Sequence, residues 1–454
     1  MEPEGLIQLS DMTDSNRSGV TLHRALGRWD LTAIGINQVI GSAIFLMPSV
    51  VATQIGNWSP LAFVLAGLAS LLVALCFAEV ASRFEDTGGP YLYTKAAFGR
   101  FIGFEIGWMQ WVTRVTSYAS VINGIALAVG FYWQGATSGL GRVMVIVSVM
   151  VFLAVVNVRG IRQTSWIVNA LTFGKLIPLF VFIAVGIFFI DLGSLASLPE
   201  VSTTEVSTAA LLLMFVFGGY DVIPVPAGEA KEPRTHMPFA LVTTILVVTA
   251  VMTMGQIVAM SLLPDLANSK TPLADAALVT MGSFGALMIG VGSVISMTGN
   301  SAGHVLAGSR MLFALAEKGE LPQRFGSIHE KFRTPANAVI ITTGVSLVLA
   351  LSGSFVVLAA ASAVARLITY TGVCAATLML RRTQFTGKVK PAAFVTPFGV
   401  TVPVLAILVS VSIVMGASRV QVLGGLAGLA IGGILFWFNN RLNPKVREFD
   451  SQDP

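Results

Sequence analysis

Two short glycine-rich segments lie inside long apolar stretches, and their backbone has the right groups to bind a small charged molecule. The first is residues 40–45, IGSAIF, and the second is residues 217–221, FGGYD, followed by Pro224 and Pro226. Glycine and proline disfavour a continuous helix, and a broken helix ends in unpaired amides on one side and carbonyls on the other. Amides suit a carboxylate and carbonyls suit an ammonium group, and an α-amino acid carries both. Close packing of neighbouring helices through glycine is the alternative explanation.

The composition indicates that these stretches lie in a membrane. Hydrophobic residues make up 54% of the 454 residues and charged residues only 11%, whereas soluble domains carry about a quarter charged residues. So few charges cannot cover the apolar surface of a water-soluble fold of this length. We predict an all-α polytopic membrane protein with twelve transmembrane helices. The predicted spans are residues 31–53, 59–82, 101–133, 142–158, 166–190, 207–229, 236–262, 282–316, 336–353, 355–381, 396–417 and 419–438.

The two glycine-rich breaks fall in the first and sixth predicted spans. If spans one to five and six to ten are related halves, the breaks occupy equivalent positions, and five spans per half place the halves in opposite orientations. Paired interruptions in matching segments are typical of a transporter binding site near the bilayer centre.

The basic residues between the spans indicate the orientation. With the N-terminus on the cytoplasmic side, 21 of the 28 Lys and Arg residues lie on that side and three on the other, Arg142, Lys270 and Arg419. Because Lys and Arg concentrate in cytoplasmic loops, we predict a plasma-membrane protein with both termini in the cytoplasm. The sequence pI of 9.3 follows from these loops, and nucleic acid is not an expected partner.

Charged residues inside the predicted spans are candidates for function, because a charge in the bilayer is costly. Asp221 lies close to the second break and is expected to face a cavity or to cap a half-helix. Arg114 and Arg366 are expected to pair with acids or with backbone carbonyls. The basic residues inside the spans are Arg114, Lys175, Arg310 and Arg366.

Small polar residues form a stripe on two of the predicted helices. Each stripe suits a substrate path, and helix packing through small residues explains it equally well. His304 is more readily explained as a hydrogen-bonded structural group than as a proton carrier. The stripe on the third span is Gln110, Thr113, Ser117, Ser120 and Gly124, and the stripe on the eighth is Ser293, Ser296, Asn300, His304 and Ala307.

Several motifs resemble the amino acid–polyamine–organocation (APC) superfamily of transporters. Residues 40–45 are similar to its IGSGIF-type segment, with Ala43 where a third small residue, usually glycine, is common. The other similar segments are residues 78–83 with 87–91, residues 218–221 with 228–234, and residues 309–322 with 334–335. These motifs occur in the family's order.

The resemblance implies a leucine-transporter-type fold. Two inverted five-helix repeats would occupy residues 31–190 and 207–382, and two further helices residues 396–438. Cytoplasmic tails would be residues 1–30 and 439–454.

The resemblance also implies an amino acid bound midway across the membrane. Its carboxylate would lie near the amides of Gly41, Ser42 and Ala43, and its ammonium near carbonyls at the two breaks. Independently of the resemblance, Phe217 and Tyr220 flank the second break, and either is expected to close the pocket as an aromatic gate. The expected substrate-binding residues are Ile40, Gly41, Ser42, Ala43, Thr113, Ser117, Phe217, Gly218, Gly219 and Tyr220.

Lys175 and Asp221 are the expected coupling or structural charges. In sodium-coupled members of this fold, a cation bridges helices 1 and 8. In some sodium-independent relatives a lysine of helix 5 takes the place of this cation, and Lys175 resembles that lysine. A lysine that only balances a nearby acid is the alternative.

The function expected from these features is secondary transport of amino acids by alternating access, coupled to protons or to exchange rather than to sodium. The sequence has no nucleotide-binding glycine loop, no metal-ligand spacing and no arrangement typical of an enzyme, and Cys76 and Cys374 lie in apolar runs. We therefore expect no enzyme activity, no cofactor and no metal site. The expected partners are an amino acid, membrane lipid and protons. A carrier of polyamines or other amines and a sensor that binds an amino acid without moving it are the alternatives.

Overall fold

The fold is a bundle of α-helices. The computed structural model describes residues 24, 26–86, 88–159, 176–191, 193 and 196–442. We number the α-helices of this part in chain order. They are α1 Arg28–Val39, α2 Ala43–Ile55, α3 Ser59–Ala81, α4 Pro90–Phe98, α5 Arg100–Val129, α6 Gly139–Arg159, α7 Leu176–Phe189, α8 Thr203–Val216, α9 Pro233–Leu262, α10 Pro272–Glu317, α11 Ala336–Ser352, α12 Phe355–Met379, α13 Thr401–Met415 and α14 Arg419–Leu442.

The helices are those of a multi-pass membrane protein. Eight helical stretches in the described ranges are long and apolar enough to cross a bilayer, and the shorter apolar helices α7, α11 and α13 accompany them. A helix or a pair of helices overlaps each predicted span. The total of twelve crossings stays a prediction.

Burial separates the central helices from the peripheral ones. In the most apolar stretch of α5, 83% of the residues are buried, against 17% in α6 and 11% in α14. The exposed apolar faces of α6 and α14 are suited to contact with lipid, because the bilayer core contains no water to which apolar surface would be exposed. Helix α5 lies at the centre of the bundle and packs against α10 and α12.

The helix ends follow local sequence signals. At the start of α8, Ser202 and Glu205 form a reciprocal capping box in which the Ser202 hydroxyl accepts a hydrogen bond from the Glu205 amide. Within α10, Gly282 has a non-helical backbone with φ 61°, a conformation that glycine adopts without strain. The predicted eighth span begins at this break.

The sixth predicted span differs from the structure in its second half. The sequence predicts a span that continues to residue 229, but α8 ends at Val216 and only two short 3₁₀ turns follow, Tyr220–Val222 and Ala227–Glu229. Pro224 and Pro226 explain the difference, because a proline has no amide to donate to a helical ladder. The fifth predicted span is described only from residue 176, so Lys175 lies outside the described residues.

Candidate functional site

The first helix break separates α1 from α2. The Gly41 amide donates to the Val39 carbonyl at 2.8 Å, which ends the regular helical pairing. Helix α2 restarts at Ala43, and Ser42 at its N-cap makes no side-chain cap hydrogen bond. The first amides of a helix have no partner within it, and the N-terminus carries partial positive charge. This end of α2 is therefore suited to an anion.

The second break lies directly against the first. Gly219 has φ 127°, outside the range that L-residues adopt easily. A Cβ atom at Gly219 would lie 2.9 Å from the carbonyl oxygen of Gln38 and 3.2 Å from the amide nitrogen of Val39. Glycine at this position lets the two interrupted helices approach backbone to backbone.

Side chains of α10 bind the carbonyls at the end of α1. Ser296 donates its hydroxyl to the Gly41 carbonyl at 3.2 Å, and Asn300 donates its amide to the Gln38 carbonyl at 2.9 Å. Gly41 packs so closely on Asn300 that a Cβ atom would lie 2.7 Å from the amide carbon. The polar stripe predicted on the eighth span thus faces the first break.

A small polar cavity of about 20 Å³ lies where the two breaks meet. This volume has room for about one water molecule and is smaller than any amino acid. The structure is therefore a closed conformation of the site. The residues that line the cavity are Gln38, Val39, Gly41, Ser42, Ala43, Ser117, Phe215, Gly218, Asn300, His304 and Arg366.

Helices α5 and α12 supply a polar wall. The hydroxyls of Ser117 and Ser362 lie 2.5 Å apart, and Ser362 also contacts the Thr113 carbonyl at 3.3 Å. Arg366, one turn further along α12, donates from Nη2 to the Ser117 hydroxyl at 3.4 Å. These contacts direct the Arg366 guanidinium towards the cavity.

A buried ion pair holds the second break in place. Arg114 on α5 forms a salt bridge with Asp221, just after the break. Asp221 also accepts hydrogen bonds from the Gly219 amide at 3.2 Å and the Tyr370 hydroxyl at 3.4 Å. Asp221 therefore supports the irregular backbone and is not part of the cavity wall.

Aromatic side chains pack on the far side of the second break. Tyr220 is fully buried, with its ring 5.9 Å from Phe77 and 5.3 Å from Tyr370. Phe217 is also fully buried, and its ring lies 6.4 Å from that of Phe63. In this conformation neither ring lines the cavity, and the predicted role of either as a gate stays a prediction.

A second cavity, of about 310 Å³, has Thr53, Lys270 and Phe355 among its lining residues. Phe215 lines the small cavity, and its ring meets that of Phe355 edge to face at 6.2 Å. The Phe215–Phe355 contact therefore joins a residue that lines one cavity to a residue that lines the other.

The segment before α1 pairs with the segment after the second break, at the opposite end of the protein. The Leu26 amide donates to the Glu229 carbonyl at 3.0 Å, and the Lys231 amide donates to the Leu26 carbonyl at 2.9 Å. Glu85 forms salt bridges with Arg24 and Lys390 nearby in the same cluster of loops. These contacts tie the ends of the two broken helices together.

The predicted binding residues divide into two groups by position, and their role in binding stays a prediction. Five line the cavity, namely Gly41, Ser42, Ala43, Ser117 and Gly218. The other five are absent from the wall, namely Ile40, Thr113, Phe217, Gly219 and Tyr220.

Six cavity residues were absent from the expected binding set: Gln38, Val39, Phe215, Asn300, His304 and Arg366. The sequence could have indicated Arg366 as a cavity residue, because it is a charge inside an apolar segment. The sequence indicated Asn300 and His304 more weakly, through their place on a polar stripe. Nothing in the sequence distinguishes Gln38, Val39 or Phe215 from their neighbours.

Paired helix breaks around a buried polar cavity, in an all-helical multi-pass protein, are the architecture of a membrane transporter. The chain belongs to the amino acid permease family, whose model matches residues 26–436. This confirms the resemblance to the APC superfamily and identifies an amino acid transporter rather than an enzyme.

Curated relatives match over nearly the whole chain. The serine/threonine exchanger SteT of Bacillus subtilis is 29% identical, over 90% of this chain and 96% of its own. The branched-chain amino acid permease BcaP of Bacillus subtilis is 25% identical, over 97% of this chain and 98% of its own. The methylthioribose transporter of the same organism is 26% identical, over 93% of this chain and 94% of its own.

Proposed function

We propose that this protein is a secondary transporter that moves amino acids across the plasma membrane by alternating access. The observation that carries the proposal is the small polar cavity at the meeting point of two broken helices. Alternating access requires such a site to open to each side in turn. The Phe215–Phe355 ring contact would part on one side, and the Leu26 pairing with residues 229–231 on the other.

The proposed substrate pose uses the backbone at both breaks. The α-carboxylate would accept hydrogen bonds from the amides of Ser42 and Ala43, at the positive end of α2. The ammonium would face carbonyls of residues 217–219. Ser296 and Asn300 already bind the carbonyls of Gly41 and Gln38, so these two oxygens serve the link to α10.

The proposed architecture is a pair of inverted five-helix repeats, residues 31–190 and 207–382, followed by two helices in residues 396–438. One helix break in each proposed repeat supports this division. The proposed orientation places both termini in the cytoplasm, as the distribution of basic residues indicates.

We propose that transport does not depend on sodium and is coupled to protons or to exchange. A sodium site between the first break and α10 would need oxygen ligands from both. Here two of the carbonyls at the break accept hydrogen bonds from α10 instead. Lys175 is proposed to supply the single positive charge that links the two elements.

Two of the three relatives point to amino acids, since their names specify serine and threonine or branched-chain amino acids. A polyamine would require acidic side chains around the cavity. The described lining contains Arg366 and no acid, which speaks against an amine carrier.

Transport by the purified full-length protein in liposomes tests this proposal. Thermal stabilisation by a panel of amino acids would identify ligands, because a ligand that binds the folded state raises its Tm. Uptake of a labelled ligand into loaded liposomes, with protein-free liposomes as control, would then show carriage. Binding without uptake would favour the sensor, and neither binding nor uptake of any amino acid would defeat the proposal.

A further inference from the structure

Arg366 places hydrogen-bond donors without partners inside the cavity. Its side chain is 2% exposed and lines the cavity beside His304 and Ser117. Apart from the Nη2 contact with Ser117, its Nε and Nη1 atoms are buried and have no hydrogen-bond partner in the described ranges. Buried polar groups are almost always paired, so these atoms point to a missing ligand.

The charge around Arg366 is not balanced. The buried acid of this cluster is Asp221, and it forms its salt bridge with Arg114. One carboxylate thus faces two guanidinium groups, and the described cluster is left with one excess positive charge. His304 on the cavity wall cannot compensate, because an imidazole is either neutral or positive.

The arginine cannot relieve this imbalance by itself. A guanidinium stays protonated in proteins, and a buried charge is strongly unfavourable unless it is paired. The missing negative charge would therefore come from a molecule that enters the cavity, which is where the transported substrate binds in the proposed function.

We infer that the transported substrate carries a net negative charge, and that Arg366 pairs with a carboxylate of its side chain. This inference rests on the proposed amino acid transport and names the substrate class. A neutral amino acid has a single carboxylate, which can satisfy either the N-terminus of α2 or Arg366. An acidic amino acid has two carboxylates, and it neutralises the excess charge as well.

The second helix break is built to admit the guanidinium. A Cβ atom at Gly218 would lie 1.0 Å from Nη1 of Arg366, so no side chain is tolerated there while the arginine faces the cavity. The backbone that receives the substrate ammonium and the side chain that receives its second carboxylate therefore adjoin each other. An α-amino acid with a short acidic side chain presents the two groups at such close spacing.

Two kinds of molecule share this chemistry, acidic amino acids and dicarboxylates that lack an amino group. The wild-type protein in liposomes distinguishes them by competition against a labelled acidic amino acid. Unlabelled aspartate and glutamate, their amides asparagine and glutamine, and succinate are the competitors. We expect aspartate or glutamate to compete at least about tenfold better than the matching amide, which differs only in the charge, and better than succinate.

Arg366→Gln tests the residue itself, and Arg310→Gln is the matched control, an arginine inside α10 that is exposed and does not line the cavity. We expect Arg366→Gln to weaken acidic ligands by about a hundredfold, as loss of one partner of a buried charged pair does, with little effect on the amides. Arg310→Gln should keep the wild-type order of ligands.

Competition with the wild-type protein shows whether acidic amino acids are preferred, even if Arg366→Gln does not fold. Transport of neutral amino acids with no preference for the acids would overturn the inference and leave the proposed function intact. Succinate that competes as well as the acidic amino acids would keep the anion pairing but remove the role of the ammonium site. Failure of every ligand in the panel to bind would overturn both.

Discussion

The side-chain amide of Asn300 on α10 donates to the backbone carbonyl of Gln38 at the end of α1, at 2.9 Å. This bond, with that from Ser296 to Gly41, connects the first helix break to the helix that faces it. Carbonyls at such a position are the ligands that a sodium ion would need, and here a neutral donor occupies each.

Uptake should therefore persist when all sodium is replaced by choline. The carbonyls of Gln38 and Gly41 are satisfied by hydrogen bonds, and a lysine ammonium from residue 175 would repel a further cation. The measurement is initial uptake of labelled substrate into liposomes in matched sodium and choline buffers. Lys175→Ala should reduce uptake per folded molecule, and strict sodium dependence of the wild type would contradict the idea.

Gly41→Leu should abolish substrate binding while leaving the protein in the membrane. A Cβ atom at Gly41 would already lie 2.7 Å from the Asn300 side chain, and a leucine also favours a continuous helix through the break. Binding is measured by thermal shift with the substrate. The control is Gly424→Leu on α14, where a Cβ atom meets nothing within 4 Å. Wild-type uptake by Gly41→Leu would place the site elsewhere.

Gly218→Ala should lower the Tm, because its methyl group would force Nη1 of Arg366 out of its place in the cavity. The collision involves only the Arg366 side chain, so Gly218→Ala should lower the Tm less when Arg366→Ala is also present. Thermal melts of the two single variants and the double variant form a double-mutant cycle. Strictly additive losses would show that the two residues do not meet in the folded protein.

Asp221→Asn should destabilise the protein by about 3–5 kcal/mol, since Arg114 would then be buried without its counter-ion. Joint replacement, Arg114→Met with Asp221→Leu, should cost less than Asp221→Asn alone. Glu85→Gln, which removes the acid of solvent-accessible salt bridges with Arg24 and Lys390, is the control and should change little. The Tm of each variant is measured by thermal unfolding. An Asp221→Asn protein with the Tm of the wild type would contradict the structural role of Asp221.

Single cysteines should report the orientation of the loops. In a background without Cys76 and Cys374, a cysteine at Lys318 or Lys388 should react in whole cells only with membrane-permeant thiol reagents. A cysteine at Lys270 should react with impermeant ones. All three lysines are exposed, so accessibility in the folded protein does not limit the reaction. The reverse pattern would invert the proposed topology.

The sequence alone determined the class of protein and the location of its irregular backbone. Low charge, apolar stretches and ordered motifs indicated a multi-pass transporter, because lipid demands that each span satisfy its own backbone groups. The same constraint made residues 40–42 and 217–219 recognisable as exceptions. These are local properties, and they can be read without knowing which helices touch.

Only the tertiary structure decided which charges face the cavity. In the sequence Arg114 and Arg366 are equivalent, each a lone cation within an apolar segment. In the fold Arg114 meets Asp221, 107 residues further along the chain, whereas Arg366 turns towards the cavity. The difference depends on the rotation and register of α5 and α12 against the broken helices. Those are set by contacts between distant residues, which no local pattern in the sequence encodes.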